Sequence, residues 1–235
     1  MKVGIIGLPN VGKSTLLNHL IGDERVITGP EPGVTRDSIA VSWNWEGQGI
    51  KLVDTAGLRR HSKVHEKIEK LSVADSLRSI RFAHVVILVL DATVMAEKQD
   101  LSIADHIMRE GRALIIAANK WDKVNNRKSA LTELVDRLDR SLPQARGIPI
   151  LTLSALTGEG INRLMPMVTD VFRTWNIRLP TGPLNRWLDD TLENHPPPLS
   201  RGRRLRLRYV TQVKSRPPTF VLFTSRPGEL PASYE

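Results

Sequence analysis

The sequence predicts an α/β fold with a mainly parallel sheet, followed by a smaller α+β unit. Two observations carry this expectation. Over residues 1–175, five short apolar runs of buried-strand type alternate with five helical patterns, the signature of strands joined by crossover helices. Beyond Trp175 the order changes to one helix followed by two strands, which gives a thin core of its own.

In the first region the predicted strands run from Val3 to Ile6, Ile50 to Val53, Val85 to Leu90, Leu114 to Ala118 and Pro149 to Leu153. The predicted helices run from Ser14 to Leu20, Ile68 to Ser79, Lys98 to Glu110, Lys128 to Ser141 and Ile161 to Trp175. Ser42 to Glu46 is expected to pair with the next strand through a turn at Gly47 to Gly49, adding an antiparallel edge. In the second region Thr181 is the expected N-cap of a helix with Leu184, Trp187, Leu188 and Leu192 on one face. The run His195-Pro196-Pro197-Pro198 ends that helix. Arg204 to Tyr209 alternates as a half-buried strand does, and Thr219 to Phe223 reads as the second strand. The expected domains are 1–175 and 176–235, the second small and incomplete.

The chain of 235 residues is long enough for one or two domains with a sizeable core. It contains no cysteine, which excludes a disulfide framework, a cysteine-based zinc site and a thiol nucleophile. That absence fits a reducing compartment, and a cytoplasmic location is expected. The longest apolar runs are far too short to cross a bilayer, and the N-terminus, broken by Gly4, Gly7 and Pro9, is no signal peptide. The net charge of +9 is uneven: residues 176–235 hold 10 Lys and Arg against 5 Asp and Glu. This basic bias hints at an anionic partner such as nucleic acid, although a basic face is often merely solvated.

Gly7-Leu8-Pro9-Asn10-Val11-Gly12-Lys13-Ser14 matches GxxxxGK[ST] between the first strand and the first helix. The glycines let the backbone curl so that N–H groups point at phosphate oxygens, and the helix N-terminus adds positive partial charge. Lys13 would bridge the β- and γ-phosphates and the Ser14 hydroxyl would ligate Mg²⁺. Gly7, Asn10, Val11, Gly12 and Thr15 complete the expected cradle. Asp54-Thr55-Ala56-Gly57 follows a strand, where Asp54 can hold Mg²⁺ and Gly57 lets a backbone N–H approach the γ-phosphate. Asn119-Lys120-Trp121-Asp122 follows another. The Asp122 carboxylate can accept from guanine N1–H and the exocyclic amine, donors that adenine lacks there, while the Lys120 stem can pack on the base plane. Ser154-Ala155-Leu156 would present a backbone N–H to guanine O6. In this order the motifs point to a guanine-nucleotide site.

The set GxxxxGKS, Gly33-Val34-Thr35-Arg36-Asp37, DTAG, NKWD and SAL resembles the translation-factor-related GTPases. The finer wording (GLPNVGKSTL, TGPEPGVTRD, DTAGLRR, EKQDLSIAD) resembles the Der (EngA) family of ribosome-assembly GTPases. His195 to Pro198, Arg201 to Arg204 and Gln212 to Phe223 resemble that family's C-terminal KH-like domain. The resemblance implies a P-loop GTPase domain of the second of two tandem G domains, then part of a KH-like domain. The first G domain is absent, and the chain is expected to be a fragment of a longer protein. It also implies binding of GTP and GDP with Mg²⁺, hydrolysis of GTP to GDP and phosphate, and the large ribosomal subunit and its rRNA as partners. Thr35 is the implied switch I residue that reaches Mg²⁺ and the γ-phosphate.

Leu58 stands where Ras-like enzymes carry the glutamine that orients water, so polar help must come from elsewhere or turnover must be slow. Asn10 resembles the asparagine of potassium-activated GTPases, in which a monovalent cation supplies the charge of an arginine finger; simple turn chemistry is the plain alternative. Arg36 is a weak arginine-finger candidate. His61 and His65 lie four apart without an HExxH or a cysteine and read as a solvated face. No GxxG loop occurs in residues 176–235, which argues against KH-type single-strand binding and leaves a basic docking module. Two rivals stay open: a slow nucleotide-holding RNA or ribosome scaffold, and a tRNA-modification GTPase.

Overall fold

The computed structural model describes residues 1–22, 41–53, 80–143, 147–197, 199–200 and 203–230. The chain divides into two compact units, Met1–Arg173 and Thr174–Glu235.

In the first unit, β1 (Lys2–Ile6), β2 (Val41–Trp45), β3 (Gln48–Val53), β4 (Val85–Asp91), β5 (Ala113–Asn119) and β6 (Ile150–Thr152) form one sheet in the order β2-β3-β1-β4-β5-β6. Only the β2–β3 pair is antiparallel. The apolar run VVILVLD of β4 is buried from Val85 to Leu90, and every residue of β5 is buried. A strand covered on both faces has no polar side, which is why these segments read as continuous runs rather than alternations. The expected antiparallel edge is present, but its turn is tighter than the glycines suggested. Glu46 (φ 48°) and Gly47 (φ 81°) alone make the corner, and Gly49 already lies in β3. Two successive positive φ values match the right-handed twist of a two-residue hairpin.

The helices of this unit among the described residues are α1 (Lys13–Gly22), α2 (Lys98–Arg109), α3 (Arg127–Ser141) and all but the last two residues of α4 (Leu164–Trp175). Helix α2 starts with a capping box in which Glu97 and Asp100 satisfy each other's backbone N–H groups. Asn126 caps α3 by accepting from the Ser129 N–H, and the 3.6-residue period places Ala130, Leu134 and Leu138 in the core. The segment predicted as one helix from Ile161 opens with a 3₁₀ turn, Ile161–Arg163, before α4 begins. The predicted helix Ile68 to Ser79 lies outside the described residues.

In the second unit, α5 (Thr181–Asn194) packs Leu184 and Leu188 against Val210, with Leu192 and Leu222 at the margin. Three expectations are corrected here. Pro180, not Thr181, occupies the N-cap; its fixed φ of −63° presets the entry, and Thr181 is the first helical residue. Trp187 is 59% exposed, because it falls off the narrow Leu184–Leu188 stripe. The strand expected from Arg204 is broken. A short β7 (Leu199–Ser200) pairs with β8 (Arg203–Arg204), and β9 (Leu207–Ser215) then pairs with β10 (Pro218–Thr224). The break comes where Leu205 turns into the core, 4% exposed. Asn185 brackets Val210 on the free side of β9, accepting from its N–H at 2.9 Å and donating to its carbonyl at 2.8 Å. Buried Gln212 likewise accepts from the Leu179 N–H at 2.7 Å and donates to the Ile177 carbonyl at 3.2 Å.

Candidate functional site

The site collects at the carboxyl ends of β1, β4 and β5. Strand β1 lies between β3 and β4, so the chain leaves it at the point where the strand order reverses, the usual ligand position in an open α/β sheet. The loop from Gly7 to Gly12 makes the turn into α1, whose ladder opens with the Leu16 N–H donating to the Gly12 carbonyl at 2.9 Å. Gly12 has φ 97°, and a Cβ there would strike the Asn119 amide nitrogen; one at Gly7 would strike the Val89 carbonyl. Asn10 holds a left-handed φ of 61°, which asparagine tolerates better than most residues.

The Lys13 ammonium donates to the Gly7 carbonyl at 2.9 Å and the Leu8 carbonyl at 2.6 Å. Burial pushes its pKa below the ordinary lysine value. It stays close to the loop that a phosphate would enter. Ser14 is half-buried in the first turn of α1, and Thr15, the next residue, is exposed.

Asn119 is the junction of the site. It is 2% exposed at the end of β5. Its amide nitrogen donates to the Val11 carbonyl at 2.7 Å, and its amide oxygen accepts from the Ala155 N–H at 2.8 Å. One side chain therefore joins the phosphate loop to the Ser154-Ala155-Leu156 turn. Lys120 follows with φ 62°, and its ammonium meets the Asp91 carboxylate at 2.6 Å. The Trp121 N–H donates to the Leu153 carbonyl and its ring is buried, which anchors the short 3₁₀ turn carrying exposed Asp122.

The Ser154 N–H donates to the Glu159 carbonyl at 2.9 Å, and the Ala155 N–H is committed to Asn119. Both N–H groups are thus committed within the protein, and Leu156, the next residue of the turn, is exposed. Sequence reasoning missed Asp91 and Thr93. The available signal was position, since Asp91 is the last residue of β4 and the register partner of Asn119.

Thr35, Arg36, Asp54, Gly57, Leu58, His61 and His65 lie outside the described residues. Among the described residues, no cluster of three or more His, Cys, Asp or Glu could hold a metal, and no helix is long and apolar enough to cross a membrane. The donor types that the sequence supplies for Mg²⁺ (the hydroxyls of Ser14 and Thr35 and the carboxylate of Asp54) fit a hard cation that keeps waters and phosphate oxygens as its other ligands.

Comparison with known proteins bears on the family and the fold. The chain is 55% identical over 234 residues to GTPase Der of Parvibaculum lavamentivorans, covering 100% of this chain and 50% of that protein. It is 56% identical to GTPase Der of Mesorhizobium japonicum, covering 100% of this chain and 49% of that protein. The chain thus spans about half the length of these curated relatives. Among solved structures, Era in complex with MgGDPNP and nucleotides 1506–1542 of 16S ribosomal RNA is similar with a TM-score of 0.54 and 29% identity. That match covers 72% of this chain and 56% of Era. The bacterial selenocysteine-specific elongation factor EF-Sec, at TM-score 0.54 and 21% identity over 74% of this chain and 29% of its own, shares the fold. Residues 178–235 match the KH-domain-like C-terminal domain of EngA bacterial GTPase enzymes. Residues 2–120, which hold the phosphate loop, match the profile of the 50S ribosome-binding GTPase, and the chain belongs to that family.

Proposed function

We propose that this chain binds GTP through the Gly7–Ser14 loop and the Asn119–Asp122 and Ser154–Leu156 turns, hydrolyses it to GDP and phosphate, and serves ribosome assembly. The observation that carries the reading is the Asn119 bridge, which joins a phosphate cradle to a base-reading turn at 2.7 and 2.8 Å. A phosphate loop alone would fit any nucleoside triphosphate. The bridge ties it to residues whose chemistry suits guanine.

The chain's own groups divide the work. Loop N–H groups and the start of α1 receive the phosphates. Lys13 gives up its two loop carbonyls for phosphate oxygens, exchanging neutral acceptors for charged ones and stabilising the charge that grows on them during in-line attack. Asp122 reads the guanine N1–H and amine, while Asn119 keeps loop and base turn in register. Ser14, Thr35 and Asp54 would hold Mg²⁺, which when bound neutralises charge on the β- and γ-phosphates. Thr35 and Gly57 sense the γ-phosphate. The Asn10 amide oxygen would hold K⁺, offsetting the missing polar side chain at Leu58.

The family description, 50S ribosome-binding GTPase, supports the large ribosomal subunit as a partner, and the reading adds its rRNA and a cytoplasmic site of action. The basic segment from Arg201 to Arg208 supplies phosphate contacts. Reversing Arg203, Arg204 and Arg206 to Glu weakens subunit binding; unchanged binding removes that contact from the reading. Turnover of GTP in KCl and NaCl at matched ionic strength, with Asn10→Ala alongside, tests the chemistry. A potassium-specific acceleration lost in the variant supports a cation at Asn10. Equal rates in both salts remove it, and no GTP turnover under any condition removes the hydrolase reading.

A further inference from the structure

Lys120 poses a physical problem that its neighbours solve. It sits in the left-handed region at φ 62°, a conformation that costs a non-glycine residue about 1–2 kcal/mol. It also carries a four-carbon side chain that loses much rotamer freedom when fixed. In an open site such a side chain would sample solvent and be ordered only by the ligand. Here a carboxylate of the protein holds it. Its ammonium is held at 2.6 Å by Asp91 Oδ2, and the two side chains are only 28% and 18% exposed.

The carboxylate is itself fixed from the other side. Asp91 Oδ1 accepts from the Thr93 N–H at 3.0 Å and from the Thr93 hydroxyl at 2.6 Å. These two bonds occupy one oxygen and leave the second aimed at Lys120. The main chain adds to the brace. Asp91 and Asn119 are register partners across β4 and β5, and the Ala92 N–H donates to the Asn119 carbonyl at 2.9 Å. Asp91 thus acts on the residue directly after the one that bridges to the phosphate loop.

We propose that Asp91, braced by Thr93, is a positioning residue for the nucleobase: it holds the Lys120 side chain in place before the nucleotide arrives, so that the base meets a preformed platform. This rests on the guanine-nucleotide reading above. Ordering a rotamer-rich side chain on binding lowers affinity, and Asp91 shifts that cost from binding to folding. The effect belongs to the base and not to the phosphates, so GDP and GTP gain by the same factor.

The test is a double-mutant cycle on the full chain with a fluorescent GDP analogue, using Asp91→Asn, Lys120→Gln and the pair. Each single variant weakens binding by about tenfold or more, and the pair weakens it no further than the worse single. Asp91→Asn raises KM for GTP by the same factor and leaves kcat at saturation within about twofold. Thr93→Val shifts affinity in the same direction by less, and only while Lys120 is present. If Asp91→Asn melts before it can be assayed, the cycle between Thr93→Val and Lys120→Gln reads the same coupling. Additive losses in either cycle, or Asp91→Asn binding GDP like the parent, overturn the proposal. A parent chain that does not bind GDP at all overturns the guanine-nucleotide reading instead, so the two failures are distinct.

Discussion

Asn119 and Val11 lie 108 positions apart in the chain and are joined by a 2.7 Å hydrogen bond from a side chain that is only 2% exposed. That bond makes the Gly7–Ser14 loop and the Asn119–Asp122 turn a single object. Its partner bond, from the Ala155 N–H at 2.8 Å, extends the object to the turn that follows β6.

Removing the bridge leaves two buried backbone groups without partners. Asn119→Ala is therefore expected to cost about 2–4 kcal/mol of stability and to weaken nucleotide binding as the loop loses its register. Thermal melting with and without GDP checks both. A variant that melts like the parent would show that the bridge holds nothing in place.

Gly12 faces the same amide group. Gly12→Ala puts a methyl against the Asn119 amide nitrogen at a φ of 97° that alanine avoids, and about 1–3 kcal/mol of strain is expected together with lost GDP binding. Gly22, with no atom of the described residues within 4 Å of its would-be Cβ, is the matched control. Gly22→Ala should change the melting midpoint by less than about 1 kcal/mol in equivalent stability and leave binding intact. Equal behaviour of the two variants would contradict the packing argument.

Asp100 supplies a pH prediction. It is 4% exposed, its Oδ2 accepts from the Glu97 N–H at 3.0 Å, and its Oδ1 has no hydrogen-bond partner among the described residues. Burial raises its pKa above the ordinary carboxylate value. A raised folded-state pKa gives stability that is complete below the unfolded value and is lost as pH rises through the folded value. Asp100→Asn keeps an acceptor for Glu97 and removes the charge. Relative to the parent, the variant should gain stability as pH rises above the ordinary carboxylate value of about 4. A parent–variant difference that stays constant with pH would contradict the assignment.

The sequence made the parallel sheet legible because strands buried on both faces run apolar up to their last residue, as in β4 before Asp91 and β5 before Asn119. It made the phosphate loop and NKWD legible because their chemistry depends on contiguous residues at fixed spacing. It did not reveal the Asn119–Val11 bridge or the Asp91–Lys120 pair, since each joins positions distant in the chain that only the β4–β5 register and the β1 turn bring together. The break at Leu205 was hidden for another reason. Alternation of Arg and Leu satisfies a strand pattern whether or not the backbone pairs, and here Leu205 is drawn into the core instead. The Pro180 cap was missed because Thr181 is the better cap by side-chain chemistry, while proline acts only through its φ.

The central claim is a site that selects guanine, and base selectivity tests it most directly. GDP, ADP and XDP would be titrated against the full chain and against Asp122→Asn. The account predicts that the parent binds GDP on the order of 10⁴-fold more tightly than ADP, because its base-reading groups are left unpaired by adenine. In Asp122→Asn, GDP binding should fall and XDP binding should rise, since the asparagine amide can donate to the xanthine C2 carbonyl. Equal affinities of the parent for GDP and ADP, or a variant with unchanged base preference, would contradict it.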